Sequence, residues 1–429
     1  MAAAATRAGS AAAAASGAAG LTAAVAGVRH PHVFVRVAQL RAREDVTLLG
    51  FFENDREIAV RFERETGLRR FDTLDALLAQ QPDLLVSEAL DTEMPALALA
   101  AAPHVRSLLL EKPGAPTLAA MDRLVAGLAA HPVDAHVAYQ LHYSPSIARM
   151  RELLASGALG QITLARFNAG CPIGCGDELW QSVPGDLGGV MFTEGCHMLQ
   201  LIVDALGVPQ EVAGMIERLP AGTVVRSDVV KRDLFDDPAP DDESGVGRLM
   251  YEDVGVALLR WPTLVGTLDV TAWEATDWVH NWYLEFQGTN GTMKVRPVPP
   301  TLDLTLRTAA AGLAAGTHPT QEWESPAGHE LTLVPDPAYE RQLDAVLHRL
   351  RSGAEPSQAS LHQAHDVIRV LDAIYRSSAE RRTLALPAAA ATSAAPAASA
   401  APAAPAAPAA ASAPPAAALP SQAPQQETA

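Results

Sequence analysis

Lys112 lies between Glu111 and Pro113, at the end of the apolar run Ser107-Leu108-Leu109-Leu110. Such a run reads as a buried parallel strand. Open α/β sheets bind ligands just beyond the carboxyl ends of their strands. A lysine there can meet a cofactor or a substrate oxygen, although a solvated loop would place the same residues at that point. His197, within Gly195-Cys196-His197, carries a group whose ordinary pKa lies near neutrality and can exchange a proton. A lone histidine on a helix is more often structural. Cys171, Cys175 and Cys196 with His197 match the donor types of a zinc site, but the spacing is not a tight motif and no metal is expected.

The elements that position these groups follow an alternating pattern. Strands are expected at Thr22–Gly27, Val46–Phe52, Asp83–Ser87, Val105–Glu111 and Val133–Ala138. Helices fall between them at Val33–Arg43, Arg56–Thr66, Thr73–Gln80, Pro95–Ala102 and Thr117–Ala130. That alternation implies right-handed βαβ units and a parallel sheet. After residue 138 the rhythm changes. A helix at Ser146–Ser156 and a strand at Gln161–Phe167 precede a loop from Asn168 to Leu187 and a helix near Thr193–Leu206. Strands then dominate from Glu211 to about Leu306, with Thr289-Asn290-Gly291 as a turn, and helices follow at Ala338–Leu350 and Leu361–Ser378. The acidic segment Val229–Gly245 reads as a mobile loop. The fold class is α/β: a doubly wound parallel sheet followed by an α+β domain with an open, mainly antiparallel sheet. The expected divisions are 1–20, an Ala-rich disordered extension; 21–138, the parallel-sheet domain; 139–386, the second domain; and 387–429, a disordered Ala/Pro-rich tail.

Composition narrows the function classes. Lys plus Arg is 32 against 49 Asp plus Glu, a formal charge of −17 over 429 residues. Nucleic-acid affinity depends on cations that neutralise phosphates, so none is expected. No stretch is apolar enough to span a bilayer. Three cysteines make no disulfide framework and fit a reducing compartment, so a cytoplasmic location is expected.

Five stretches, in this order and spacing, resemble the Gfo/Idh/MocA family of the glucose–fructose oxidoreductase and inositol dehydrogenase type. They are Glu111-Lys112-Pro113; Tyr139 to Pro145 leading into Leu153–Gly160; Gly188-Gly189 through His197; Gly288-Thr289-Asn290-Gly291-Thr292; and Ala373-Ile374-Tyr375-Arg376-Ser377-Ser378. The resemblance covers roughly Leu21 to Leu386. It implies a Rossmann dinucleotide-binding domain and a second sheet that mediates homo-oligomerisation. It also implies reversible hydride transfer between NAD(P) and a sugar, polyol or related alcohol. Such a reaction needs a base for the hydroxyl proton and a cation for the developing alkoxide, roles that His197 and Lys112 suit.

The chain departs from the family pattern at two places. The family has an aspartate four residues before the histidine; here that position is Thr193, with Glu194 about 100° further round a continuous helix. Gln140 and His142 stand where the family more often has Asn and Arg. The fingerprint Gly-x-Gly-x-x-Gly is reduced to Gly27-Val28-Arg29-His30-Pro31-His32, leaving Arg29 and His30 as donors to a phosphate in place of glycine backbone. Glu53 ends the second strand, where an acid accepts from ribose hydroxyls and favours NAD over NADP, although a surface glutamate in a polar turn would look the same. Ser87 and Glu111 complete the expected cofactor edge, and Gln140, Tyr143, Trp180 and Thr193 are substrate candidates. Trp273, Trp278 and Trp282 read as packing or a subunit interface. The altered loop and Thr193 also suit a different class, a non-catalytic ligand- or dinucleotide-binding regulator that keeps the fold.

Overall fold

A computed structural model describes residues 20–172, 189–218, 225–226, 246–247, 252–274, 282–324 and 337–387, all within one compact unit that spans Met1–Thr392. Both chain termini, Val229–Gly245, Cys175, Trp180 and Trp278, and the side chain of Cys171, lie outside the described residues.

The first half builds β1 (Leu21–Val28), α1 (His32–Arg41), β2 (Val46–Phe52), α2 (Arg56–Thr66), α3 (Leu74–Leu78), β3 (Leu84–Glu88), α4 (Met94–Ala101), β4 (Ser107–Leu110), α5 (Leu118–Leu128) and β5 (Asp134–Val137). The five strands form one parallel sheet in the order β2-β1-β3-β4-β5. A single parallel bridge from Phe51 to Arg70 marks where a further strand would lie beside β2. The strand order reverses between β1 and β3, the switch point at which doubly wound sheets bind ligands. β3 and β4 are buried along their whole length, which explains their uninterrupted apolar runs. Local signals set the helix starts: Asp55 accepts from the Glu57 and Ile58 N–H groups, and Thr73 and Thr117 cap α3 and α5.

The second half continues with a 3-10 turn at Gln140–Tyr143, then α6 (Pro145–Ala155), β6 (Ile162–Pro172), α7 (Val190–Thr193), α8 (Gly195–Leu206) and β7 (Glu211–Glu217). A separate ribbon pairs β8 (Val225–Arg226) with β9 (Val246–Gly247). Then come β10 (Val254–Arg260), β11 (Val265–Glu274), β12 (Tyr283–Gly288), β13 (Gly291–Arg296), β14 (Thr301–Leu306), β15 (Gly316–Thr317), β16 (Gln321–Glu322), α9 (Pro337–Ser352), α10 (Ala359–Glu380) and β17 (Leu384–Ala385). The larger sheet runs β15-β14-β13-β12-β6-β11-β10-β7-β17, with β16 beside β14. It is antiparallel except for β6 and β11. β6 continues to Pro172, so the start of the expected loop at Asn168 is strand: Asn168, Ala169 and Gly170 pair with Asp269, Val270 and Thr271.

Along β10, buried Gly255, Ala257 and Leu259 alternate with exposed Val256, Leu258 and Arg260, so one sheet face is packed and the other open. α10 lies on the packed face; the Ser377 and Ser378 hydroxyls accept the Gly214 and Ile216 N–H groups of β7. α9 packs instead on the parallel sheet, where Leu343, Val346, Leu347 and Leu350 join Val33, Val37 and Leu40 in one core.

Candidate active site

Lys112 follows β4 into the space between the two sheets, and His197 sits in the first turn of α8. Their relative exposures are 6% and 4%. The helix expected to begin near Thr193 is broken at Glu194, where α7 ends and α8 begins. The His197 N–H consequently bonds Glu194 O rather than Thr193 O. The released Thr193 carbonyl accepts from Lys112 Nζ at 3.0 Å and from Cys196 Sγ at 3.2 Å. Thr193 thus acts through its backbone, while its hydroxyl donates to Gly189 O.

The same break corrects the expectation for Glu194. A continuous helix would turn it away from the site. Instead it is buried, and its charge bears on Lys112. Burial works against the Lys112 ammonium, but negative charge from Glu194, Cys196, Glu111 and Asp91 outweighs it and raises the pKa. Lys112 therefore stays charged at neutral pH. Burial raises the Glu194 pKa, with the Lys112 charge opposing.

His197 behaves in the opposite way. Burial, then the Lys112 charge, lower its pKa well below the ordinary value, so the imidazole is neutral at neutral pH. Its Nδ1 is sealed from solvent and has no hydrogen-bond partner. The ring meets Tyr139 edge-on at 5.9 Å and lies 5.9 Å from Trp282. Trp282, expected to pack or to form a subunit interface, stands beside His197 and is held by an Nε1–H bond to Gly170 O. The Gln140 Oε1 is buried without a partner, as is the Ser87 hydroxyl. Tyr143 stacks edge-on against His142, and its carbonyl accepts from Arg341. Burial pushes the Cys196 thiol up to about 12, so it is an inert core thiol.

At the switch point, Gly27 keeps the sharp turn of the fingerprint. Its φ is +80°, and an added Cβ would lie 2.3 Å from Ala89 Cβ. The N–H groups beyond it are engaged inside the chain. Val28 N–H donates to Glu53 Oε2, His30 N–H to Glu88 O and His32 N–H to His30 Nδ1. The other Glu53 oxygen accepts from Asp55 N–H, so the acid expected at a ribose is spent on two backbone groups. Arg29 is half-buried at the turn. The nicotinamide end of a dinucleotide therefore fits this site through Lys112, His197 and the unpartnered Ser87 hydroxyl. Its diphosphate finds the usual backbone donors engaged and only the Arg29 guanidinium in their place.

Residues 147–294 match the GFO/IDH/MocA C-terminal domain. That match spans 148 of the 429 residues, all of them after β5. No curated protein sequence matches the chain significantly. Among solved structures similar to this chain is an oxidoreductase from Agrobacterium radiobacter with NAD+, L-tartaric acid and magnesium. Its TM-score is 0.66 at 18% identity, over 85% of this chain and 98% of that one. The WlbA dehydrogenase from Bordetella pertussis with NADH and UDP-GlcNAcA gives 0.65 at 19%, over 86% and 99%. An aldose-aldose oxidoreductase from Caulobacter crescentus with glycerol gives 0.63 at 18%, over 86% and 100%. These likenesses establish a shared fold.

Proposed function

We propose that this protein is an NAD(P)-dependent oxidoreductase acting on a CH–OH group of a sugar, polyol or related alcohol, with Lys112 and His197 as its catalytic residues. The observation that carries this reading is the convergence of a charged lysine just after β4, tied to the Thr193 carbonyl, and a neutral histidine in the first turn of α8. The similar structures with NAD+ or NADH and sugar-like ligands support it. When bound, the nicotinamide accepts the hydride from the carbinol carbon. His197 takes the hydroxyl proton, and the Lys112 ammonium holds the oxygen as negative charge develops on it. The Thr193 carbonyl fixes one ammonium hydrogen and so orients the others. Glu53, just after β2, keeps its carboxylate at that edge although both oxygens accept backbone N–H groups, and a carboxylate there favours NAD over NADP by repelling a 2′-phosphate.

The test is titration of the full chain with NADH and NADPH by cofactor fluorescence, followed by turnover on an alcohol panel. NADH binding with turnover is expected. Absence of binding to either cofactor overturns the reading. Binding without turnover identifies instead a regulator that keeps the fold.

The open face of the larger sheet serves as a subunit interface in this reading. Val256 lies directly opposite Met215 in the ladder, and exposures of 72% for Met215 and 58% for Leu258 leave an apolar patch across β7 and β10. Sedimentation of the full chain is expected to give a dimer or larger assembly that Leu258→Glu dissociates. A wild-type monomer would remove the interface.

A further inference from the structure

Four side chains around the altered turn form a cluster that hydride transfer does not use. His30 and His32 come from the β1–α1 connection, Glu88 ends β3 and Glu111 follows β4. All four are buried, and one ligand atom from each lies within 4.8 Å of every other. His32 Nδ1 is 3.4 Å from Glu111 Oε2, His30 Nε2 is 3.7 Å from Glu111 Oε1, and His30 Nδ1 is 3.9 Å from Glu88 Oε2. We propose that His30, His32, Glu88 and Glu111 bind one divalent transition-metal ion, zinc by ligand type.

Three observations carry this. The first is the orphaned acceptors. Both oxygens of Glu111 and Oε2 of Glu88 are sealed from solvent without a hydrogen bond of good geometry. Buried polar atoms in folded proteins are almost always partnered, and a missing ion is one recognised reason for an exception.

The second is size. Zinc bonds of about 2.0–2.2 Å put tetrahedral ligands roughly 3.3–3.6 Å apart. The two Glu111 separations are already within about 0.1 Å of that range, and the widest pair closes by roughly 1.2 Å. Closure has one local consequence. His30 Nδ1 accepts the His32 N–H at 3.1 Å, so coordination through Nδ1 gives up that bond, and coordination through Nε2 moves the ring proton to Nδ1.

The third is the surrounding shell. Metal-bound histidines are generally fixed by a partner on the other ring nitrogen, and ligating carboxylates by a further donor. The Tyr339 hydroxyl lies 2.9 Å from His32 Nε2 and 3.2 Å from Nδ1, and a bond to Nε2 frees Nδ1 for the ion beside Glu111. Arg36 Nε donates to Glu88 Oε1 at 3.3 Å, which leaves Oε2 facing His30. Arg36 is itself locked, with Gln39 and Gln342 accepting from its guanidinium and the Tyr339 ring 4.9 Å away. Imidazole and carboxylate together suit zinc among the common divalent ions. The inference stands apart from the redox reading, since a chain that binds zinc but no dinucleotide leaves it intact.

The test uses tag-free full chain produced in zinc- or cobalt-supplemented medium and then gel-filtered. Elemental analysis is expected to find one zinc per chain. The cobalt form is expected to show visible d–d absorption of a tetrahedral site without a thiolate-to-cobalt charge-transfer band. Glu111→Gln should lose the metal. Tyr339→Phe keeps all four ligands and should weaken zinc binding by about tenfold, measured by competition with a chromophoric chelator. A metal-free wild type overturns the proposal. So does a thiolate band, which assigns the ion to the cysteines, or full zinc content in Glu111→Gln. If Glu111→Gln does not fold, Tyr339→Phe decides: unchanged affinity overturns the proposal.

Discussion

Replacing Lys112 by Met is expected to lower turnover on any alcohol that the panel identifies by at least about a hundredfold, the effect of deleting one preorganised group that stabilises a developing oxyanion. The same substitution removes the counter-charge of Glu194, which is buried beside it. Leaving a buried carboxylate without a nearby positive charge is destabilising, by at most about 3–5 kcal/mol, the cost of breaking a direct buried ion pair from one side. The raised pKa of Glu194 lessens that cost, because the orphaned carboxyl can take a proton. Lost activity could therefore reflect a damaged fold, and a second substitution separates the two effects. In Lys112→Met/Glu194→Gln the buried charge is gone from both partners, so thermal stability should recover most of what Lys112→Met lost. Turnover should not recover. A double variant that regains activity along with stability would show that Lys112 only supports the fold.

Much of the framework was legible in the sequence because its signals are local. The runs at Leu84–Glu88 and Ser107–Leu110 read as strands because both faces are covered, and the alternation in Val254–Arg260 because one face is open. Lys112 and His197 could be paired from the order of the motifs around them. What was missed depended on single backbone events or distant partners. Wheel geometry turned Glu194 away because Gly195, the one strongly helix-weakening residue in Val190–Leu206, does not by itself fix a break; its consequence, a free Thr193 carbonyl, is visible only in three dimensions. Glu53 stood at the right strand end, yet whether its oxygens met a ribose or the Val28 and Asp55 N–H groups depended on turn geometry. The packing of α9 on the parallel sheet joins residues about 300 positions apart, as between Arg36 and Gln342. The repeated histidine in His30-Pro31-His32 was the one local sign of the buried cluster, and it was read only as a source of phosphate donors.

A second large effect is expected from acid. His136 in β5 and His142 in the 3-10 turn both have pKa values lowered to about 4. Burial is the main cause in each, opposed by Asp134 or Asp204 and aided by Arg349 or Arg151. In the unfolded chain these imidazoles titrate near 6.5. Between about pH 6.5 and about pH 4 the unfolded state therefore binds more protons than the folded one, and stability must fall as pH falls through that window. Above it both states are neutral and the effect vanishes. The shift from 6.5 to about 4 corresponds to about 3 kcal/mol at the acid end for His136, and less for His142, whose side chain is 21% exposed. Thermal melts across this range should show Tm falling steadily towards acid. In His142→Gln the amide oxygen can still accept from Arg151, which donates to the imidazole at 2.7 Å in the native chain. The variant should keep its stability at neutral pH and lose part of the acid slope, up to about 1.4 kcal/mol per pH unit. If the variant's profile instead runs parallel to the wild type, His142 is not held neutral by its surroundings, and the acid sensitivity belongs to other groups.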